Sequence, residues 1–356
     1  MKPFRNIRIS LLRATHTPSN AHVFPSSSPS KENKRLVGVF TALLGIAIAG
    51  VLVPSPVRAG VPDSRQPDAS TVARARAAFL KHMSSHRPMV TRSRAPLAVG
   101  GGSTELESFN WSGFADAESG AKTVSSVSGE WTIPLVQCPG GSYQYQDAFI
   151  AQWVGIDGFS DQTVEQLGTV GWCFEGVTYY FVWYEMFPNG TIEEGTEDCI
   201  NNNLDCPQPG DLISASVTVT PGGNYTLSLT DSTRPQESFS VTASCAPSIC
   251  LDSSAEWIVE RAALEPSIGP QLIPLVDFFQ TGFSNGALTS GGKTTNIEGF
   301  KGGTVYDIAM VDDTESYFLD CVGQRAVGPQ LLLIPNGCPT VSPSNGSFNV
   351  SWDSSF

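Results

Sequence analysis

The sequence predicts an all-β fold, an antiparallel β-sandwich of two packed sheets stapled by disulfides. Three observations carry this. From residue 104 onward the chain is a series of short runs rich in β-branched and aromatic residues, punctuated by turns such as Pro221-Gly222-Gly223 and Asn189-Gly190. No helix of four turns alternates with those runs, so a parallel α/β sheet is excluded. All eight cysteines (Cys138, Cys173, Cys199, Cys206, Cys245, Cys250, Cys321 and Cys338) lie in the same part of the chain, the pattern of disulfides made in an oxidising compartment.

The elements follow in order. Residues 1–59 read as a signal peptide with a long N-terminal extension. KENKR (31–35) precedes the apolar run 36–53, and Val57-Arg58-Ala59 offers small residues for cleavage after Ala59. Retention of 36–53 as an anchor is the alternative, since the run is close to spanning length. Residues 60–103 read as a basic propeptide and linker, with a helical pattern in STVARARAAFLKHMSS (70–85) and a cleavable stretch at 92–103. Strands are expected at 122–133, 148–156, 163–172, 178–187, 212–220, 224–230, 238–243, around SAEWIVER, and at 276–283, 304–311 and 348–352. Cys199–Cys206 and Cys245–Cys250 are close enough to staple loops, but the spacing leaves the full connectivity open.

Charge narrows the function. Residues 1–103 hold fifteen of the twenty-one Lys and Arg, which leaves residues 104–356 with six bases against thirty-one acids, a formal charge of −25. Such a surface repels nucleic acid and anionic lipid and suits an acidic medium. The basic 60–103 segment is complementary to it. It reads either as a plain linker or as an inhibitor that docks by charge at neutral pH and lets go as carboxylates protonate. Once the leader is cut, no stable membrane association is expected, and the chain is expected to act as a monomer.

The chemistry is reached by elimination. The four histidines (His16, His22, His82, His86) all precede residue 104, so the 104–356 domain has no Ser–His–Asp triad, no Cys–His pair and no HExxH site. No CxxC pair with a nearby His suggests zinc, and no glycine-rich phosphate loop opens a helix; no cofactor is expected. Carboxylates and amides are left. Trp153 and Asp157 flank the end of QWVGIDG (152–158), and Gln166 sits in VEQLGT (164–169). In YYFVWYEMFP (179–188), period two places Tyr179, Phe181, Trp183, Glu185 and Phe187 on one face, which reads equally as the floor of a groove or as sandwich core. Glu256, in AEWIVE (255–260), is a carboxylate inside a run that otherwise asks for burial.

FNWSG (109–113), QWVGIDG, VEQLGT, WYE (183–185) and AEWIVE, in this order, resemble the glutamic peptidases of the eqolisin type, with IPLVDF (273–278) a weaker match. The resemblance spans roughly Asn110 to Phe283. It implies a concanavalin-like β-sandwich, a secreted acid endopeptidase acting on polypeptides, and a catalytic pair at Gln166 and Glu256. It also implies supporting or substrate-binding roles for Trp153, Asp157, Trp183 and Glu185. Ionised Glu256 would take a proton from the attacking water and return it to the leaving amine, while the Gln166 amide would stabilise the oxyanion. The sequence departs from the family where Tyr180-Phe181 stands in place of an acidic residue before WYE, and in an inserted loop, 191–206. Two other readings compete: a β-sandwich glycosidase using Glu185 and Glu256 as paired carboxylates, and a non-catalytic secreted binding module.

Overall fold

The computed structural model describes residues 67–83, 89, 97–98, 103–118, 123–140, 147–245, 249–264, 271–297, 301–311, 318–322 and 345–352. The expected leader and its cleavage site, residues 92–96 and 99–102 of the expected linker, and Cys338 lie outside the described residues. Helix α1 (Ala69–Met83) comes first, followed by β1 (Leu97–Ala98), β2 (Ser103–Ser108), β3 (Trp111–Glu118) and β4 (Val124–Thr132). Next are β5 (Ala148–Ile156), β6 (Val164–Phe174), β7 (Val177–Phe187), β8 (Thr191–Glu194) and the short helix α2 (Glu197–Asn202). The chain continues with β9 (Leu212–Thr220), β10 (Asn224–Asp231), β11 (Phe239–Ser244), β12 (Ser254–Glu260), β13 (Ala263–Leu264) and β14 (Gln271–Leu272). Last are β15 (Gln280–Ser290), β16 (Lys293–Asn296), β17 (Gly303–Val311), β18 (Phe318–Val322) and β19 (Phe348–Trp352).

These strands make two packed sheets. The front sheet runs β1–β2–β17–β3–β12–β5–β6–β7–β8, antiparallel except for the parallel pair β2–β17. The back sheet runs β11–β10–β9–β4–β15–β16. Strand β15 joins the two: Gln280–Phe283 pairs with β19, and past an irregularity between Ser284 and Ala287 the strand pairs with β4. Alternation sends Val154, Leu167, Val182, Val259 and Trp257 inward against Val127, Val217, Leu227 and Leu288, all buried. Each such side chain contributes roughly 1.5–3 kcal/mol by leaving water. Two indoles cross the gap: Trp257 Nε1 donates to the Ser128 carbonyl at 2.8 Å and Trp131 Nε1 donates to Thr169 Oγ1 at 3.0 Å.

The outer face of the front sheet carries a second apolar cluster. Trp111, Trp153, Trp172, Tyr179, Phe181, Trp183 and Ile258 share it with Val72, Ala75, Phe79 and Met83 of α1. The helix forms where the sequence predicts it, in an Ala-rich stretch. Asp68 Oδ1 caps it by accepting from the Thr71 amide at 2.9 Å, and Lys81 and His82 complement its last turn. Phe79 packs against Phe181 with ring centroids 5.0 Å apart. Among the described residues three disulfides close loops: Cys138–Cys173, Cys199–Cys206 and Cys245–Cys250. The run 276–283 is not one strand. Val276 and Asp277 serve loop contacts, and the strand begins at Gln280 and runs to a Gly291-Gly292 hairpin turn.

Candidate active site

The register of the front sheet assembles one row of residues on its outer face. Tyr306 of β17 opposes Ala115 of β3, which opposes Glu256 of β12. Glu256 opposes Gly155 of β5, Gly155 opposes Gln166 of β6, and Gln166 opposes Glu185 of β7, next to Thr191 of β8. Side chains directly opposite one another share a face, so Glu256 and Gln166 project the same way from strands two apart, about 10 Å between backbones. Between them stands Gly155, whose missing side chain lets the Trp153 ring and Gln166 pack close over the row. A Cβ there would come within 2.9 Å of the Trp153 ring and 3.2 Å of Gln166 Cβ.

The row is fully buried: Glu256, Gln166 and Glu185 are each 0% exposed. Gln166 Nε2 donates to Glu185 Oε2 at 2.8 Å, and Thr191 Oγ1 donates to Glu185 Oε1 at 3.1 Å, so Glu185 orients the amide. Neither oxygen of Glu256 makes a hydrogen bond. Burial pushes its carboxyl well above the ordinary range. Ser254, two residues back on the same face, favours the ionised form, although its Oγ makes no hydrogen bond of standard geometry. The carboxyls of Asp157, Asp161 and Glu165 add to the upward shift.

One row along the strands lie Ile258, Trp153, Gly168 and Trp183, followed by Glu193. Trp153 Nε1 donates to Glu260 Oε2 at 2.7 Å, Asn110 Nδ2 donates to Glu260 Oε1 at 3.2 Å, and the Trp153 ring meets Trp111 edge-on at 4.9 Å. Trp153 is thereby a fixed wall. Trp183 Nε1 is buried with no hydrogen-bond partner. The aromatic face of β7 thus lies outside the inter-sheet core, buried in a second apolar cluster with α1.

Asp157 stands apart from the row. It sits at the end of β5 with φ 68° and accepts from the backbone amides of Leu251, Asp252 and Ser253 at 2.8, 2.9 and 2.6 Å. Its carboxylate ties down the segment that enters β12 and so sets the position of Glu256. Burial, with the Asp161 charge, raises its pKa to about 7. Sequence reasoning missed Asp161, which accepts from Gly158 N and Thr163 N, and Glu165, which faces the inter-sheet core and is pushed by burial and by Asp157 and Asp161 to about 10. It also missed Glu260, the acceptor that fixes Trp153. The alternation of AEWIVE already placed Glu260 on the face of Glu256. Glu165 lies close to the sulfurs of Cys245 and Cys250, but a disulfide has no thiolate to offer a metal.

The outer face of the front sheet thus aligns a carboxylate, an amide and fixed aromatic side chains on adjoining strands. The Peptidase A4 family model matches residues 109–323. Aspergillopepsin-2 of Aspergillus niger is 30% identical over 250 residues, covering 66% of this chain and 82% of that protein. Scytalido-glutamic peptidase, crystallised with a transition-state analogue inhibitor, shares the fold with a TM-score of 0.50 at 22% identity, over 68% of this chain and 98% of its own. This chain belongs to the peptidase A4 family, the eqolisin-type glutamic peptidases, and is a peptide hydrolase. The glycosidase and binding-module readings fall away with that membership.

Proposed function

We propose that the chain is a secreted acid endopeptidase in which Glu256 is the general base and Gln166 the oxyanion donor. The observation that carries this is the row Glu256–Gly155–Gln166, where two groups of complementary chemistry flank the one position without a side chain. A peptide carbonyl lying over Gly155 is within reach of both. Glu256 takes the proton of the attacking water and later returns it to the leaving amine. The Gln166 amide, oriented by the bond from its Nε2 to Glu185, donates to the oxyanion and does not titrate. Trp153 and Trp183 form the groove walls, Glu185 orients Gln166, and Asp157 positions the start of β12.

Secretion rests on the leader pattern and on the disulfides, which require an oxidising compartment. Among the described residues no helix is long and apolar enough to cross a membrane. The prosegment acts as an inhibitor by covering the groove floor. Phe79 is buried against Trp172 and Phe181, and Arg76 Nε pairs with Glu193 Oε2 at 2.9 Å, one row from Gln166. The mature domain works as a monomer.

The test is casein cleavage across pH by secreted protein from which an outside protease has removed the prosegment, wild type beside Glu256→Gln and Gln166→Ala. Acid-active wild type and a loss of at least about 100-fold in each variant are expected. Full activity in Glu256→Gln would discard the catalytic assignment.

A further inference from the structure

The segment 191–206, where the sequence departs from the family, contributes Thr191 to the reacting row and is otherwise unused by it. It adds the edge strand β8 to the front sheet and then turns into α2. That turn is pinned from the neighbouring β10–β11 connection. Thr196 caps α2 by accepting from the Cys199 amide at 3.2 Å, and its hydroxyl donates to Glu237 Oε1 at 2.9 Å. Gly195, at φ +116°, passes so close to Glu237 that a Cβ would lie 2.5 Å from its Oε2. Glu237 has no exposure, and the Cys199–Cys206 disulfide ties α2 to the chain that follows it. Held at the cap, the turn and the disulfide, the segment has a fixed shape to present.

What it presents is charge, and α1 lies against it. Residues 191–206 carry five acids, Glu193, Glu194, Glu197, Asp198 and Asp205, and no base, while α1 carries Arg74, Arg76 and Lys81 and no acid. The helix packs on β8 and α2 as well as on the aromatic cluster of β6 and β7. Arg76, one turn on from the buried Val72, pairs its Nε with Glu193 Oε2 at 2.9 Å. Glu193 ends a row that otherwise holds Ile258, Trp153, Gly168 and Trp183, and its side chain is 1% exposed. A carboxylate is costly in that place, since burial and the neighbouring Glu237 both work against its charge. Arg76 is what favours that charge.

We propose that residues 191–206 are a clasp for the chain's own prosegment, with α1 as the occupant. The aromatic cluster gives the helix an apolar bed, and the clasp fixes its register. An Ala-rich helix has little to stop it sliding along an apolar surface. A slip of one turn would move Arg76 about 5.4 Å from Glu193 and leave both charges unpaired. The opposite charges of helix and clasp also draw the prosegment to this edge of the sheet before contact. An unrelated basic peptide shares the charge but not the spacing of Val72, Arg76 and Phe79, so the clasp makes docking specific to this prosegment. The inference rests on reading residues 60–103 as a prosegment that is cut from the domain.

The test uses the full-length chain folded with its prosegment. Glu256→Gln prevents self-digestion, a fluorophore ahead of α1 reports binding by anisotropy, and an outside protease cuts the 92–103 linker. The Kd of the cut prosegment is measured by dilution at pH 8, above the value of about 7 to which Glu193 is raised. Arg76→Ala is expected to raise Kd at least about fivefold against Glu193 and no more than about twofold against Glu193→Gln, a coupling that direct contact produces. Cys199→Ser with Cys206→Ser, which loosens the clasp away from the reacting row, should raise Kd at least about threefold. Equal costs of Arg76→Ala on the two backgrounds, or an unchanged Kd without the disulfide, overturns the clasp even where Phe79→Ala still weakens binding. The same cut protein with Glu256 intact is then assayed on casein. Full activity with the prosegment still bound overturns the inhibitor reading alone and leaves the clasp in place.

Discussion

If Glu256 and Gln166 are the reacting pair, Gly155 decides whether they can share a substrate. A residue with any side chain at that position would occupy the space between them. The walls around it cannot retreat, because Trp153 is held by its 2.7 Å hydrogen bond to Glu260 and by its edge-on contact with Trp111. The new methyl of Gly155→Ala would therefore press on the Trp153 ring and on Gln166 Cβ and displace the amide by a few tenths of an ångström. Misplacement on that scale is costly in catalysis, so kcat is expected to fall about 10-fold or more with the fold intact by circular dichroism. Gly140→Ala is the matched control, since a Cβ there meets nothing within 4 Å. Equal activity in Gly155→Ala and Gly140→Ala would place the reaction elsewhere on the sheet.

At the scale of elements, helix α1 has two ways of holding the front sheet, and their signs under acid differ. Its ion pairs Arg74–Glu175 and His82–Asp147 are partly exposed and contribute little at any pH. The buried pair Arg76–Glu193 is different. Burial raises Glu193 to about 7 in spite of the attraction of Arg76. If removing the helix returns Glu193 to water and to an ordinary carboxylate pKa, docking takes up a proton. That pair then favours the bound helix as pH falls, opposite in sign to simple release by charge loss. The apolar face should dominate instead. Phe79→Ala in an added 60–103 peptide is expected to weaken inhibition of the mature enzyme by at least about 10-fold at both pH 4 and pH 7, given the roughly 3–5 kcal/mol a buried Phe carries. Arg76→Ala should cost less. If Arg76→Ala is the more damaging change, or if an unrelated basic peptide inhibits as well, the helix is held by charge alone or is no inhibitor.

The same elements show what was legible beforehand. Strands β5, β9 and β19 fall where the β-branched and aromatic runs ended, and the period-two face of β7 was readable to the residue. Strands β2 and β3 were not, because Ser, Gly, Glu and Asp dilute them; they are strands by virtue of the partners β17 and β12. Gln166 and Glu256 were singled out by short motifs. Their alignment across Gly155, and the arrival of Tyr306 from a strand near the other end of the chain, are facts of register between segments up to 191 residues apart. Local pattern carries no such information. Asp157 illustrates the limit: its motif pointed to the cleft, while its backbone partners around residue 252 could be known only from the fold.

For the whole molecule, the buried carboxyls set a direction of stability with pH. Glu256 and Asp116 are held well above the usual range, both chiefly by burial, and Asp157 and Glu165 reach about 7 and about 10. In the unfolded chain such groups ionise near pH 4, whereas the folded domain keeps their protons longer. Between those limits the folded state binds more protons, so each step up in pH costs stability. The loss begins near pH 4, is complete for Asp157 by about pH 7, and continues toward pH 10 through Glu165. The domain should therefore be most stable in acid, the reverse of a protein held by ionised salt bridges. Thermal melts of mature enzyme made inactive by Glu256→Gln, which prevents self-digestion, should show Tm falling by about 10 °C or more from pH 4 to pH 8. Glu165→Gln, which cannot ionise, should flatten the upper part of that decline without raising Tm at pH 4. A Tm that rises between pH 4 and pH 8 would mean that these carboxyls are charged and paired in the folded domain.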